Sequence, residues 1–254
     1  HSVQHLCAKT GLSFRDCMHY HQDKSLECRE RGIRLIHIWD WEWADVRIRE
    51  RLKSQIRGVF GLSDRVFARK CKLKELSASE SKEFFSLNSE FGNKVGILKT
   101  FGLLYGDRIV MAYGVSYKQT GRGSYDVEAL EIGRSATALN TVVVGGASRL
   151  MSAVLSWARR EFPHIKEMHY FVDFDKHSGS SLKAMGFDFL GVTPPTLRIV
   201  FNRNAVLVSK KGELMEVKHG KVYSRMPAFH QAIKEQDMMG NLLTLANAGT
   251  LHYI

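Results

Sequence analysis

Residues 31–43, RGIRLIHIWDWEW, constrain this chain more than any other stretch. The apolar run inside it is bounded by Gly32 and a charged exit. Its Val/Ile/Leu character predicts a buried strand over 33–39. The polar segment before it predicts a helix over 19–31, with Tyr20, Leu26 and Cys28 facing inward and Gly32 as the stop. A basic amphipathic helix is expected over 45–60. Val46, Ile48, Leu52, Ile56 and Val59 line one side, Arg47, Arg51 and Lys53 lie elsewhere, and Gly61 ends it. Residues 1–18 read as irregular. Trp39, Trp41 and Trp43 are expected to pack rather than to stack on bases.

A second unit opens near Val66. The alternation over 67–76 predicts one strand. Ser77 followed by Glu80 forms a capping box that opens a short helix. Strands are expected over 96–105 and 108–117, joined at Gly106-Asp107, a strong hairpin signal. Another strand is expected over 126–134. A glycine pair then leads into a helix of about fifteen residues. A strand over 165–173, a helix over 178–185 closed by Gly186, and strands over 187–192 and 197–208 complete the unit. Residues 213–254 read as a basic tail with a helix near 227–239 and a turn at Gly249. The order predicts an α/β fold with mixed strands rather than a doubly wound sheet.

The chain has 254 residues, enough for one large or two small domains, and a net charge of +11. Residues 1–75 carry 16 Lys/Arg against 10 Asp/Glu, residues 76–196 carry 13 against 12, and residues 197–254 carry 8 against 4. A near-neutral middle between basic ends points to a polyanion, with double-stranded DNA as first candidate; a merely soluble basic surface is the alternative. Four cysteines at irregular spacing predict neither a zinc site nor a disulfide framework. No apolar run is long enough for a membrane span, and a cytoplasmic setting is expected.

Candidate chemistry lies in two places. In the first, His1, Ser2, His19, His21, Asp23 and Lys24 offer proton-transfer groups and a charge. His21 and Lys24 are spaced to share one helix face beside the expected strand. His19 and His21 as surface residues of a solvated helix is the alternative. In the second, Gly145 and Gly146 sit at a strand-to-helix turn. Such a turn frees backbone N–H groups and lets a pyrophosphate approach the helix N-terminus. Val144 and Ala147 flank the pair, Ser148 could add a hydroxyl and Arg149 a counter-charge. Tight packing alone would also place a glycine pair there.

The segment HS…MHYHQDKSLECRERGIRLIHIWDWEW resembles phage homing endonucleases whose nuclease core is like the very-short-patch repair endonuclease, a branch of the PD-(D/E)XK fold. The resemblance implies a partial nuclease-like lobe over 1–62, with His1, His21, Asp23 and Lys24 as catalytic positions. It also implies divalent magnesium in a full-length form whose metal ligands lie upstream. The chain is therefore expected to be an inactive fragment.

Residues 66–208 resemble the GNAT acetyltransferase fold, and more closely the GNAT-like domain that follows the nuclease core in those phage proteins. VVVGGASRL, VDFDKHSGSSLKAMGF and Thr193-Pro194-Pro195 carry the likeness. It implies a GNAT-like mixed α/β domain over 63–212 before the tail at 213–254. Val144, Gly145, Gly146, Ala147, Ser148 and Arg149 would then bind acetyl-CoA. Arg134, Asn140, Asp173, Ser178 and Gly179 would contact substrate, as in a related scaffold that modifies adenine in DNA. Asp173 as a strand-end carboxylate and Arg134 as partner of an internal carboxylate are the bland alternatives. Two functions follow: a DNA-binding homing-endonuclease-like protein, or a GNAT-fold N-acyltransferase or DNA-base-modifying transferase.

Overall fold

The computed structural model describes residues 2–89, 91–121, 123–201, 204–208, 214–218, 221–224 and 243–254. In chain order the helices are α1 (Val3–Thr10), α2 (Phe14–Glu30), α3 (Asp40–Ala44), α4 (Val46–Val59), α5 (Ala78–Asn88), α6 (Gly146–Glu161) and α7 (Ser180–Ala184). The strands are β1 (Asp64–Phe67), β2 (Lys72–Glu75), β3 (Lys99–Tyr105), β4 (Arg108–Gly121), β5 (Ser124–Thr137), β6 (Thr141–Val144), β7 (Glu167–Asp173), β8 (Phe189–Val192), β9 (Leu197–Phe201), β10 (Asn204–Val208), β11 (Leu214–Lys218), β12 (Lys221–Ser224), β13 (Leu243–Ala246) and β14 (Thr250–Tyr253). The mixture is α/β, as expected. His1 and residues 227–239 lie outside the described residues.

Two compact units interleave along the chain. The first holds residues 1–45, 172–184 and 189–252; the second holds 46–171, 185–188 and 253–254.

In the first unit, α1 and α2 start on serine caps. Ser2 Oγ accepts from His5 N, and Ser13 Oγ accepts from Asp16 N. Gly11, with φ 71°, closes α1 in the left-handed region. The irregular reading of 1–18 is thereby corrected: two ordinary caps outweigh a polar composition. Val3, Leu6, Cys17 and Ala246 form one buried cluster. Strands β12-β11-β10-β9-β13 make an antiparallel sheet, so the expected single strand over 197–208 is two strands, β9 and β10, with Phe201 opposite Asn204. The tail at 213–254 likewise supplies β11 to β14.

The expected strand over 33–39 is also corrected. This stretch joins no sheet. Ile33 and Ile38 are exposed, so the apolar run is not covered on both sides. Its backbone is tied singly: Ile33 N donates to Cys28 O at 2.8 Å and His37 N to Asp175 O at 2.8 Å. An apolar run becomes a strand only where a neighbour supplies a ladder.

In the second unit the strands run β2-β3-β4-β5-β7, the first four antiparallel and β5-β7 parallel. The hairpin at Gly106-Asp107 is present, with Tyr105 opposite Arg108. The Ser77/Glu80 capping box opens α5. Beneath α6, Leu150, Met151, Val154, Trp157 and Ala158 are buried at helical spacing, and Trp157 meets Phe101 edge to face at 5.9 Å. Helix α5 packs on the sheet through Phe84, Phe85 and Ala112. The expected strand over 67–76 is broken into β1, a 3₁₀ turn over Ala68–Lys70, and β2. The guanidinium of Arg149 explains the break. It donates to the carbonyls of Ala68 and Cys71 and so folds the chain around itself. Strand β1 pairs instead with β6, in parallel, from Asp64 opposite Thr141 to Phe67 opposite Val144.

Among the described residues, no helix is long and apolar enough to cross a membrane.

Candidate functional site

The glycine turn is the best-built candidate. Strand β6 delivers Val144 to Gly145, which has φ 75° and caps α6 without a side-chain bond. A side chain at Gly145 would be strained in that left-handed conformation, although a Cβ there would meet only Ala68 Cβ, at 3.8 Å. Gly146 has a different reason to be glycine. A Cβ there would fall 2.7 Å from Met111 Sδ and 2.8 Å from Val143 Cγ1, so the backbone must lie directly on the sheet. The first N–H groups of α6 have no partner within the helix, and the helix dipole adds partial positive charge at that end.

A cavity of about 540 Å³ opens at this point, lined by Phe67, Ala68, Arg69, Val144, Gly145 and Arg149. Arg69 is exposed, with its guanidinium carbon 5.3 Å from the Phe67 ring centre. Arg149 lines the cavity, and its Nη1 donates to the carbonyls of Ala68 and Cys71 in the 3₁₀ turn. Ser148 is exposed, and its carbonyl accepts from Ser152 Oγ. Free helix N–H groups and an exposed guanidinium are the donor set of an anion-binding cradle. It fits the pyrophosphate of an acyl-CoA. Sequence spacing missed Arg69 and Phe67, because β1 reaches β6 only through the parallel pairing.

The other positions expected to contact substrate are divided between the two units. Arg134 is half-buried and donates to three carbonyls: Gly92 O at 3.0 Å, Gly133 O at 2.8 Å and Phe91 O at 3.5 Å. Burial pushes its pKa down from the ordinary value. It pins the loop after α5, with the Glu131 charge acting on it from the same strand. Asn140 sits in the left-handed region with φ 55°. Its backbone N–H donates to Ser54 Oγ at 2.7 Å and its side chain accepts from Arg57 at 3.2 Å. It is the turn between β5 and β6.

In the first unit, Asp173 Oδ1 accepts from Asp175 N at 2.9 Å and its carbonyl accepts from Lys176 N and His177 N. Ser178 Oγ lies 3.2 Å from Ser180 Oγ, and Gly179 starts the turn into α7 with φ 70°. Asp173 thus caps a local turn at residues 175–177 rather than Ser178-Gly179.

Of the nuclease-like positions, His19, Asp23 and Lys24 line one cavity along α2, and the Lys24 charge acts on His21; His1 lies outside the described residues. His21 is buried on α2, while Asp23 and Lys24 are exposed. The ring of His21 meets Trp39 at 4.9 Å, and His37 and Tyr20 at 5.1 Å each, all edge to face. Neither ring nitrogen of His21 has a hydrogen-bond partner among the described residues. Burial, then the charge of His37, lowers the His21 pKa to about 4. A general base working near neutral pH would hold its proton less weakly. Among the described residues no group of three or more His, Cys, Asp or Glu side chains is placed to hold a metal ion.

Sequence reasoning also missed what surrounds His21. Lys176 Nζ donates to Glu42 Oε2 at 2.7 Å and to His37 O at 2.5 Å. Trp39 Nε1 donates to Asp175 Oδ2 at 3.0 Å, and Ala248 N to Asp175 Oδ1 at 2.7 Å. Ser25 Oγ lies 2.7 Å from His37 Nε2. Through Trp39 and Glu42, which are buried, and His37, the RLIHIWDWEW stretch joins a polar network within the first unit. Trp39 is buried in it, as expected of a packing residue, whereas Trp43 is exposed.

No protein-family model and no curated protein matches this chain.

Proposed function

We propose that the second unit is a GNAT-like transferase module that holds the pyrophosphate of an acyl-CoA-like donor at the N-terminus of α6, and that its acceptor is a DNA base or an amine. The carrying observation is the cavity lined by Gly145, Arg69 and Phe67 in front of the unpaired N–H groups of α6. The arrangement of strands supports the reading. A long hairpin, β4 and β5, precedes the glycine turn. Gly133 bulges out of β5, and the parallel pairing of β5 with β7 stops after Glu131 and His169. The backbone of residues 145–148 and Arg69 would hold the anionic end. When bound, the donor supplies an activated thioester carbonyl. Titration calorimetry of the whole chain with acetyl-CoA tests this. Binding that weakens about tenfold in Arg69→Ala is expected from the loss of one charged contact. No heat at millimolar acetyl-CoA overturns the reading.

A second reading is a DNA-binding protein of the homing-endonuclease-like kind, metal-dependent in a full-length form. Exposed Arg57, Arg65, Arg69, Lys70 and Lys72 around α4, β1 and β2 favour the DNA contact. Such a surface engages phosphates through charge alone. No cleavage step is assigned to it.

A further inference from the structure

The second unit buries a lysine that the cofactor cradle does not use. Lys94 lies on the loop between α5 and β3, with its side chain 12% exposed. Its ammonium donates to Ser116 Oγ at 3.0 Å and to Glu131 Oε1. Ser116 is fully buried on β4, and Glu131 is buried opposite it on β5. The second carboxylate oxygen, Glu131 Oε2, accepts from Gln119 N at 3.1 Å.

Three features make this more than a packed ion pair. First, it sits at the irregular point of the sheet. A Cβ on Gly133, the bulged residue, would lie 2.6 Å from Ser116 Oγ, 3.0 Å from Lys94 Cδ and 3.1 Å from Lys94 Nζ. Second, β5 loses its β7 partner just after Glu131, so residues 132–137 keep a backbone edge with no strand pairing to β7. Lys94 meets this edge from the α5 face of the sheet, where Ser116 and Ala112 lie, whereas the glycine turn sits over Met111 on the α6 face, so a donor arm would cross the sheet at this open edge. Gly133 to Thr137 spans about 13 Å of extended chain, a length an extended pantetheine arm could follow. Third, the loop is fixed by Arg134, which grips the carbonyls of Phe91 and Gly92, three and two residues before Lys94. The amine is therefore delivered in one position, which raises its effective concentration at that point.

We propose that Lys94 is an internal acyl acceptor, modified on Nζ by the thioester donor; this rests on the acyl-CoA reading above. The Nζ lone pair forms a C–N bond to the thioester carbonyl and the C–S bond breaks. Of the two protons the ammonium gives up, one goes to Glu131 and the other to the departing thiolate, which leaves as the free thiol. The pocket starts as a charge pair and ends as a neutral amide beside a neutral carboxylic acid. No buried charge is left without a partner, a condition that a buried lysine lacking an adjacent carboxylate would not meet.

The experiment incubates the whole folded chain with acetyl-CoA and, separately, with the short thioester S-acetyl-N-acetylcysteamine, which carries no pyrophosphate. Peptide mass mapping then reads the acetyl on each lysine. One acetyl at Lys94, ahead of exposed Lys70 and Lys72, is the expected result, with loss of that label in Lys94→Arg and a slower reaction in Glu131→Gln. Acetyl-CoA that binds by calorimetry while Lys94 stays unmodified overturns the inference and leaves the cofactor reading standing. Labelling of Lys94 by the short thioester without acetyl-CoA binding keeps the inference and removes the cofactor reading. Labelling by neither donor, or labelling ordered by surface exposure, makes Lys94 a structural ion pair only.

Discussion

Lys176 and Glu42, 134 residues apart in sequence, form an ion pair at 2.7 Å whose side chains are 2% and 0% exposed. The same Glu42 oxygen accepts from Trp39 N at 3.0 Å, and the same ammonium donates to His37 O. One pair thus ties residues 37–42 to the segment after β7 within the first unit.

Removing one partner should be far worse than removing both. Lys176→Met leaves the Glu42 carboxylate buried without its counter-charge, a loss of about 3–5 kcal/mol. Lys176→Met with Glu42→Leu should recover part of it, because no ion is then left in the interior. Urea unfolding of the two variants checks the order; equal stabilities would show that the pair is not desolvated as described.

His21 makes stability depend on pH in a defined direction. Its pKa in the fold is about 4, against an ordinary value of 6.5, because burial disfavours the charged ring. The unfolded chain therefore takes up the proton first. The contribution is complete above about pH 6.5, is lost as pH falls toward 4, and is constant below that, amounting to roughly 3 kcal/mol. His37 is shifted in the same direction, chiefly by burial, so only a comparison isolates His21. The stability difference between wild type and His21→Phe should shrink across that window, and a flat difference would contradict the lowered pKa.

The two glycines before α6 should respond differently from Arg69. Gly146→Ala drives a methyl into Met111 and Val143 and should cost about 1–3 kcal/mol. Gly145→Ala makes only an ordinary contact with Ala68 but pays for φ 75°, about 1–2 kcal/mol. Arg69→Ala should leave the melting temperature unchanged and weaken acetyl-CoA alone. Thermal melts beside calorimetry separate the cases.

For DNA, affinity should fall steeply with salt. Arg65→Ala and Lys72→Ala should each lower the slope of log K against log salt by about one, uniformly across sequences. Fluorescence anisotropy on a labelled duplex at several salt concentrations reads this. A salt-independent affinity, or none, would remove DNA as the partner.

Signals confined to a few neighbouring residues were legible in the sequence. The Ser77/Glu80 box, the turn at Gly106, the stop at Gly61 and the stripe on α6 all depend on hydrogen bonds or spacing within about four residues. The serine caps of α1 and α2 were equally local and were overlooked in a polar segment. The stretch 33–39 has strand composition, yet pairing needs a neighbour, and Asp175 and Lys176 bond it singly instead. Arg149 lines the same cavity, but the 3₁₀ turn that its Nη1 holds could not be read from spacing. Arg69 entered the cradle only because β1 lies along β6. Lys94 met Glu131 across 37 residues, through a loop that Arg134 holds down. Periodicity and caps determined where helices and the hairpin lie, because those forces act along the chain. Tertiary structure alone decided which charges are paired and which remain exposed, because desolvation is set by whatever packs alongside.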